Sequence, residues 1–137
     1  TDAGIPVRVM VSPVVPALTD HELEPILAAA AQAGAVAASS IVLRLPREVS
    51  GLFQDWVTQA YPDRAARIMG RVRELHGGRD YDPEFGKRMT GQGQWAALLR
   101  RRFDVAIKRL GLTTSLPPLR TDLFAVPPRA GDQLSLF

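Results

Sequence analysis

Two short runs of alternating apolar and polar residues, separated by a helix-length segment, constrain the fold of this chain more than any other feature. In residues 5–12, Val7, Val9 and Val11 alternate with Arg8, Met10 and Ser12, the period-two signature of a strand. In residues 40–45, Ile41, Leu43 and Leu45 alternate with Ser40, Val42 and Arg44. The segment Ser12-Pro13-Val14-Val15-Pro16 is expected to end the first strand, because proline cannot donate to a central ladder. Thr19-Asp20-His21-Glu22 then reads as a capping box, opening a helix that runs to about Ala33 and stops at Gly34. Pro25 removes the hydrogen bond to residue 21 and sets the first turn apart.

Strand, helix and strand make a βαβ unit with parallel strands and a right-handed crossover. The helix is expected to cover the Val7/Val9/Val11 and Ile41/Leu43/Leu45 faces. The opposite faces then carry Arg8, Met10, Ser12, Ser40, Val42 and Arg44. A parallel sheet covered on both sides is apolar on both, so this polarity predicts a wet or ligand-filled interior, as in an open or closed α/β barrel.

After Pro46 the period changes to that of helices. Val49, Leu52, Phe53, Trp56, Val57 and Ala60 share one face at 3.6-residue spacing. Pro62-Asp63 opens a second helix with Ala65, Ile68, Met69, Val72 and Leu75 on its apolar stripe and Arg64, Arg67 and Arg71 opposite. Gly77-Gly78 stops it. A polar, glycine-rich connection leads to a third helix, where Trp95, Leu98, Leu99, Phe103, Ala106, Ile107 and Leu110 are apolar and Arg100, Arg101, Lys108 and Arg109 lie outside. Beyond Gly111 the chain turns proline-rich and irregular. The helical aromatics Phe53, Trp56, Trp95 and Phe103 read as core rather than as platforms for bases.

Net charge is unevenly placed. Residues 1–63 hold 3 basic and 7 acidic side chains, residues 64–110 hold 12 and 5, and the remainder 2 and 2, giving −4, +7 and 0. A segment of +7 suits a phosphate-bearing partner, and solvated arginine faces on helices are its ordinary alternative. Among 137 residues there are 0 cysteines, which removes disulfides, thiolate metal sites and cysteine nucleophiles and suits a reducing cytoplasm. The mean hydropathy of −0.01 and the interruptions at Gln32, Gly34, Ser39 and Ser40 in the most apolar window predict no membrane span.

The strings GIPVRVMVSPVVPALTDHELEPILAAAAQAGA, SIVLRLPREVSGLFQDWV, YPDRAARIM and GGRDYDPEFGKRMTGQGQW resemble the C-terminal part of radical S-adenosylmethionine proteins grouped with spore photoproduct lyase as DNA repair photolyase relatives. The resemblance implies that the fold is α/β. Residues 1–46 would be the end of a partial (β/α) barrel, residues 47–112 a basic helical extension, and residues 113–137 a tail. It further implies S-adenosylmethionine and a [4Fe–4S] cluster as the cofactors of the intact family, held through a CxxxCxxC motif. Clusters of this kind need thiolates, so this chain departs from the family pattern and is expected to hold neither cofactor alone. It is also shorter than the roughly 250 residues of a full barrel. The expected partner is therefore a missing N-terminal barrel half, in the same gene or split from it.

Candidate site residues follow from these placements. Arg44 and Ser12 lie at the carboxyl ends of the two strands, where barrels bind substrate or cofactor, and His21 lies close to the same rim. Arg44 either grips a phosphate or carboxylate or pairs with Glu48. In the connection, Arg79-Asp80-Tyr81-Asp82-Pro83-Glu84 imitates part of a calcium loop but has Phe85 and Gly91 where glycine and glutamate belong. Gly91-Gln92-Gly93-Gln94-Trp95-Ala96 spells a dinucleotide motif with no strand before it and no acid following at the required distance. What remains is a phosphate cradle of Arg79, Lys87, Arg88, Gly91 and Gly93 at the start of the third helix.

The terminal Gln133-Leu134-Ser135-Leu136-Phe137 resembles the pentapeptide with which bacterial DNA polymerases and repair proteins dock on the sliding clamp. Gln133 would be the polar anchor, and Leu134, Leu136 and Phe137 would fill the apolar pocket; folding back onto the domain is the alternative. The chain is thus expected to be part of a radical S-adenosylmethionine protein acting on nucleic acid, or else a non-catalytic nucleic-acid-binding module recruited to the clamp.

Overall fold

A computed structural model of the chain describes residues 2–131. The fold is α/β: strands β1 (Arg8–Val14) and β2 (Ala37–Val42) pair in parallel, with helix α1 (Leu23–Gln32) between them. Helices α2 (Val49–Ala60), α3 (Pro62–Leu75) and α4 (Gly93–Leu110) follow. After α4 the chain returns to the outer edge of β2. There Thr113 makes a one-residue parallel bridge to Ala37, and the Ala38 amide donates to the Thr113 carbonyl at 2.8 Å. The sheet therefore grows β1, β2, then this stub, and α1 and α4 lie together against it. No helix of the described residues is long and apolar enough to cross a membrane.

The alternation in residues 5–12 predicts the faces of β1 correctly, but that in residues 40–45 assigns those of β2 the wrong way round. Val9 pairs with Ala38 and Val11 with Ser40, so Ala38, Ser40 and Val42 share the helix-covered face with Val9 and Val11. The strand also starts three residues before the expected position, at Ala37. Ala37 and Ala38 are small and weak strand formers, so composition conceals them, yet Ala38 packs in the cluster beneath α1 and α4. Strand β1 likewise runs through Pro13 to Val14, since the pairing shifts between Val11 and Val14 and no ladder donor is required at the proline.

The start of α1 differs from a capping box as well. The Thr19 hydroxyl accepts from the Val15 amide at 3.0 Å, and Asp20–Glu22 form a separate 3-10 turn ahead of Pro25. That separation is the one expected from Pro25's missing donor.

Buried side chains form two clusters. Val11, Val14, Ala38 and Val42 pack with Leu23 and Leu27 of α1, Leu75, and Leu99, Phe103, Ala106 and Ile107 of α4. Val15, Leu18, Leu43 and Leu45 pack with Val57 of α2 and Ile68, Met69 and Val72 of α3. Consecutive residues at the end of each strand thus enter different clusters: Val14 and Val42 one, Val15 and Leu43 the other. A hydrogen bond from the Leu43 amide to the Val14 carbonyl at 3.0 Å ties the two strands where they divide.

Helix α2 buries less of its apolar stripe than its sequence predicts. Val57 is buried, whereas Val49, Leu52 and Trp56 are 41%, 67% and 47% exposed. Its main helical neighbour is α3, and one such neighbour covers a narrower arc than the full stripe occupies.

Because the strand ends feed both clusters, the domain is expected to unfold in one transition. Leu27→Ala in the first cluster and Ile68→Ala in the second should each cost about 2–5 kcal/mol and shift the same thermal midpoint. Calorimetry resolving two transitions, each sensitive to one substitution, would show the clusters to be independent.

Candidate functional site

The carboxyl end of the sheet is closed by the loop between α3 and α4, and Arg44 stands at their junction. Arg44 leaves β2 two residues after its end and is half-buried. Its Nη2 donates to the Tyr81 hydroxyl at 3.1 Å and its Nη1 to the Met89 sulfur at 3.6 Å. The guanidinium carbon lies 5.8 Å from the Tyr81 ring centroid. Tyr81 and Met89, not Glu48, are its partners, and its Nε is buried without a partner.

His76 supports Tyr81 from beneath. The imidazole is 1% exposed, its Nε2 lies 2.9 Å from the Leu43 carbonyl oxygen, and its ring meets that of Tyr81 edge-on at 6.1 Å. A carbonyl only accepts, so Nε2 carries the proton, and Nδ1 is buried with no partner. The turn that follows requires glycine: at Gly77 φ is +67°, and an added Cβ would lie 2.5 Å from the Gln92 side-chain nitrogen.

Asp80 pins the loop to α2 and α3. It accepts from Arg73 Nε at 2.7 Å, Ser50 Oγ at 3.1 Å and Gln54 Nε2 at 3.1 Å. Burial raises the Asp80 carboxyl, but these hydrogen bonds and the Arg73 charge outweigh it and hold the group below its ordinary value of 3.8. Asp82 accepts from the Glu84 amide at 2.9 Å and from Gln92 at 3.4 Å. The acidic loop that imitates a calcium site is therefore a hydrogen-bonded clamp, each carboxylate engaged by the protein's own donors.

The other residues singled out from the sequence are distributed around this centre. Ser12 is exposed beside Met10, Pro13, Glu22 and Ile26, which line a shallow cleft. His21 is exposed, with its Nε2 3.9 Å from the Glu22 carboxylate. Arg79 is exposed, Lys87 pairs with Glu84 at 2.7 Å, and Arg88 lies 5.2 Å from the Phe85 ring. Gly91 is buried with φ +67°, where an added Cβ would lie 3.1 Å from Leu75, and Gly93 is the first residue of α4. Gln133, Leu134, Leu136 and Phe137 lie outside the described residues. His76, Asp80, Tyr81 and Met89 carry the junction but were not predicted from sequence; only the HGGRDYDP cluster hinted at them, and nothing local links Arg44 to a tyrosine 37 residues away.

The donor set does not fit the iron–sulfur cluster implied by the sequence resemblance. The chain has 0 cysteines, and among the described residues no group of three or more histidine, aspartate or glutamate side chains is placed to hold a metal.

Replacing Asp80 by asparagine is expected to destabilise the domain by about 1–2 kcal/mol at neutral pH, because three donors lose a charged acceptor. Asp80's folded pKa lies below its unfolded value, so its contribution is complete above the unfolded value and disappears as pH falls through the folded one. Denaturant melts of the two proteins should therefore converge in acid. An equal gap at neutral and strongly acidic pH would contradict this.

No family model matches the chain, and no solved structure matches it. Uncharacterised proteins of Mycobacterium tuberculosis and Mycobacterium bovis are 37% identical to it over 76 residues, 54% of this chain and 21% of each relative. The aligned part thus spans about a fifth of the length of the curated relatives.

Proposed function

We propose that this chain is the closing βαβ portion and basic helical extension of a partial (β/α) barrel in a radical S-adenosylmethionine protein of the photolyase-like group, acting on DNA or another nucleic acid. The observation that carries this reading is the half-finished sheet. Among the described residues, strand β1 has a partner along one edge only, whereas the outer edge of β2 is occupied by Thr113 and by the Met89 carbonyl, which accepts from the Val42 amide. Helices α1 and α4 cover one face. The other carries Arg8, Ser12, Ile41 and a Met10 that is 55% exposed. A further strand on the free edge of β1 would turn that face inward, with Arg44 and Tyr81 at the substrate end. The greater length of the mycobacterial relatives leaves room for the remaining strands and for cluster ligands.

In this arrangement the chain's own residues wall the site rather than react. Arg44 presents a fixed positive charge at the strand ends, and the His76–Tyr81 stack keeps it from swinging into solvent. Anaerobic reconstitution of the complete gene product with iron and sulfide is expected to give a brown protein with broad visible absorption. A colourless product would overturn the assignment.

A second reading is a non-catalytic module that grips nucleic acid through its basic helices and reaches the sliding clamp with residues 133–137. It is supported by the exposed Arg64, Arg67, Arg100, Arg101, Lys108 and Arg109 and by the irregular, largely exposed residues 114–131 that lead to the tail. In this case oligonucleotide affinity of the 137-residue chain should fall steeply, by about tenfold or more, between 50 and 200 mM salt. Deleting residues 133–137 should abolish clamp binding without changing that slope. A flat salt dependence, or clamp binding that survives the deletion, would remove this reading.

A further inference from the structure

Helix α4 leaves a second face unpartnered, separate from the junction at Arg44. Leu98, Arg101, Arg102, Val105, Ala106 and Arg109 line a groove of about 320 Å³ along α1, with Glu24 on the opposite wall. Its two large apolar members are open to solvent: Leu98 is 44% and Val105 60% exposed. Arg102 is consumed by Glu24, at 2.6–2.8 Å, and by the Asp20 carbonyl at 2.7 Å. Arg101 and Arg109 have no hydrogen bond or ion pair with the described residues. The groove is thus an apolar floor edged by two guanidinium groups that make no hydrogen bond, about 12 Å apart along the helix, with the Arg109 charge felt by Glu24 across it.

The complementary surface lies on the same chain. Helix α2 exposes Leu52 and Trp56, and next to them Glu48 and Asp55 are exposed with no side-chain hydrogen bond or ion pair among the described residues. The two carboxylates are seven residues apart, about 10.5 Å along a helix, close to the separation of the two arginines. Residues 48–60 contain no basic side chain. One surface is apolar with positive edges, and the other is apolar with negative edges.

We propose that the α1–α4 groove receives helix α2 of a second copy of this chain, with Leu52 and Trp56 over Leu98 and Val105 and with Glu48 and Asp55 against Arg101 and Arg109. A nucleic acid would satisfy the two charges but leave Leu98 and Val105 wet, and the groove offers no aromatic ring to a base. A helix laid in a groove satisfies both. The contact is smaller than a standard interface, so self-association is reversible and concentration-dependent, and salt weakens it through its ionic part.

Sedimentation equilibrium of the 137-residue chain tests this. The weight-average mass is expected to rise with concentration and to fall back as salt is added. The charge reversal Arg101→Glu/Arg109→Glu should weaken association by about tenfold or more, as should Glu48→Arg/Asp55→Arg, while a chain carrying all four changes should regain it. Arg67→Glu, on α3 and away from the groove, should change nothing. All of these positions are exposed, so circular dichroism should show unchanged folding. A chain that stays monomeric up to about 1 mM, or an association insensitive to either pair of reversals, would overturn the proposal. Failure of the four-fold variant to regain association would do the same. So would loss of oligonucleotide binding in the Arg101→Glu/Arg109→Glu chain with its self-association intact, which would assign the groove to phosphates. None of these outcomes depends on whether the chain belongs to an iron–sulfur enzyme.

Discussion

The peptide unit of Leu43 is the point on which the structure turns. Its amide donates to the Val14 carbonyl, fixing the two strands where they part, and its carbonyl accepts from the buried His76. On one side of that unit Val14 and Val42 enter the cluster beneath α1 and α4, and on the other Val15 and Leu43 enter the cluster beneath α2 and α3. Two small cores are joined by main chain that is shared between them at the strand ends. Satisfying this carbonyl inside the protein matters because a buried, unpaired backbone group costs about as much as a lost hydrogen bond.

The same joint explains how a polar loop can close the end of a sheet. His76 binds the loop to β2's continuation, Asp80 binds it to α2 and α3, and Tyr81 delivers a hydroxyl to Arg44. Each contact is ordinary, but they converge from three elements onto one arginine and hold its charge at the strand ends. Glu24 and Arg102 perform a comparable service on the opposite side of α4, where the hydrogen bonds from Arg102 outweigh burial and keep the Glu24 carboxyl below its usual value. The ion pair thereby locks α1 to α4 and leaves Arg101 and Arg109 for other partners.

Much of this was legible in the residues. The βαβ order, the faces of β1, the separate turn before Pro25, the three later helices and the stop at Gly77-Gly78 follow from period, proline and glycine. What escaped was whatever depends on a partner distant in sequence. The face of β2 was misread because Ala37 and Ala38 have no hydrophobic bulk to mark them, and the exposed stripe of α2 was misread because periodicity does not reveal how many neighbours a helix acquires. The carboxylates in residues 80–84 fail as a calcium loop on spacing alone, but only the structure shows what engages them: Arg73, Ser50 and Gln54 at Asp80, and Gln92 at Asp82.

The sequence by itself determined the alternation of elements and the charge of α3 and α4, because hydrophobic period and backbone restriction are properties of neighbouring residues. It also showed that these 137 residues carry no thiolate ligand, since no fold can supply a missing sulfur. Tertiary structure alone decided the register of β2 against β1, the division of the strand ends between two cores, and the meeting of Arg44, His76 and Tyr81. Those outcomes depend on which surfaces are close in space, and contacts across dozens of residues are selected by the summed packing of whole faces rather than by any local preference.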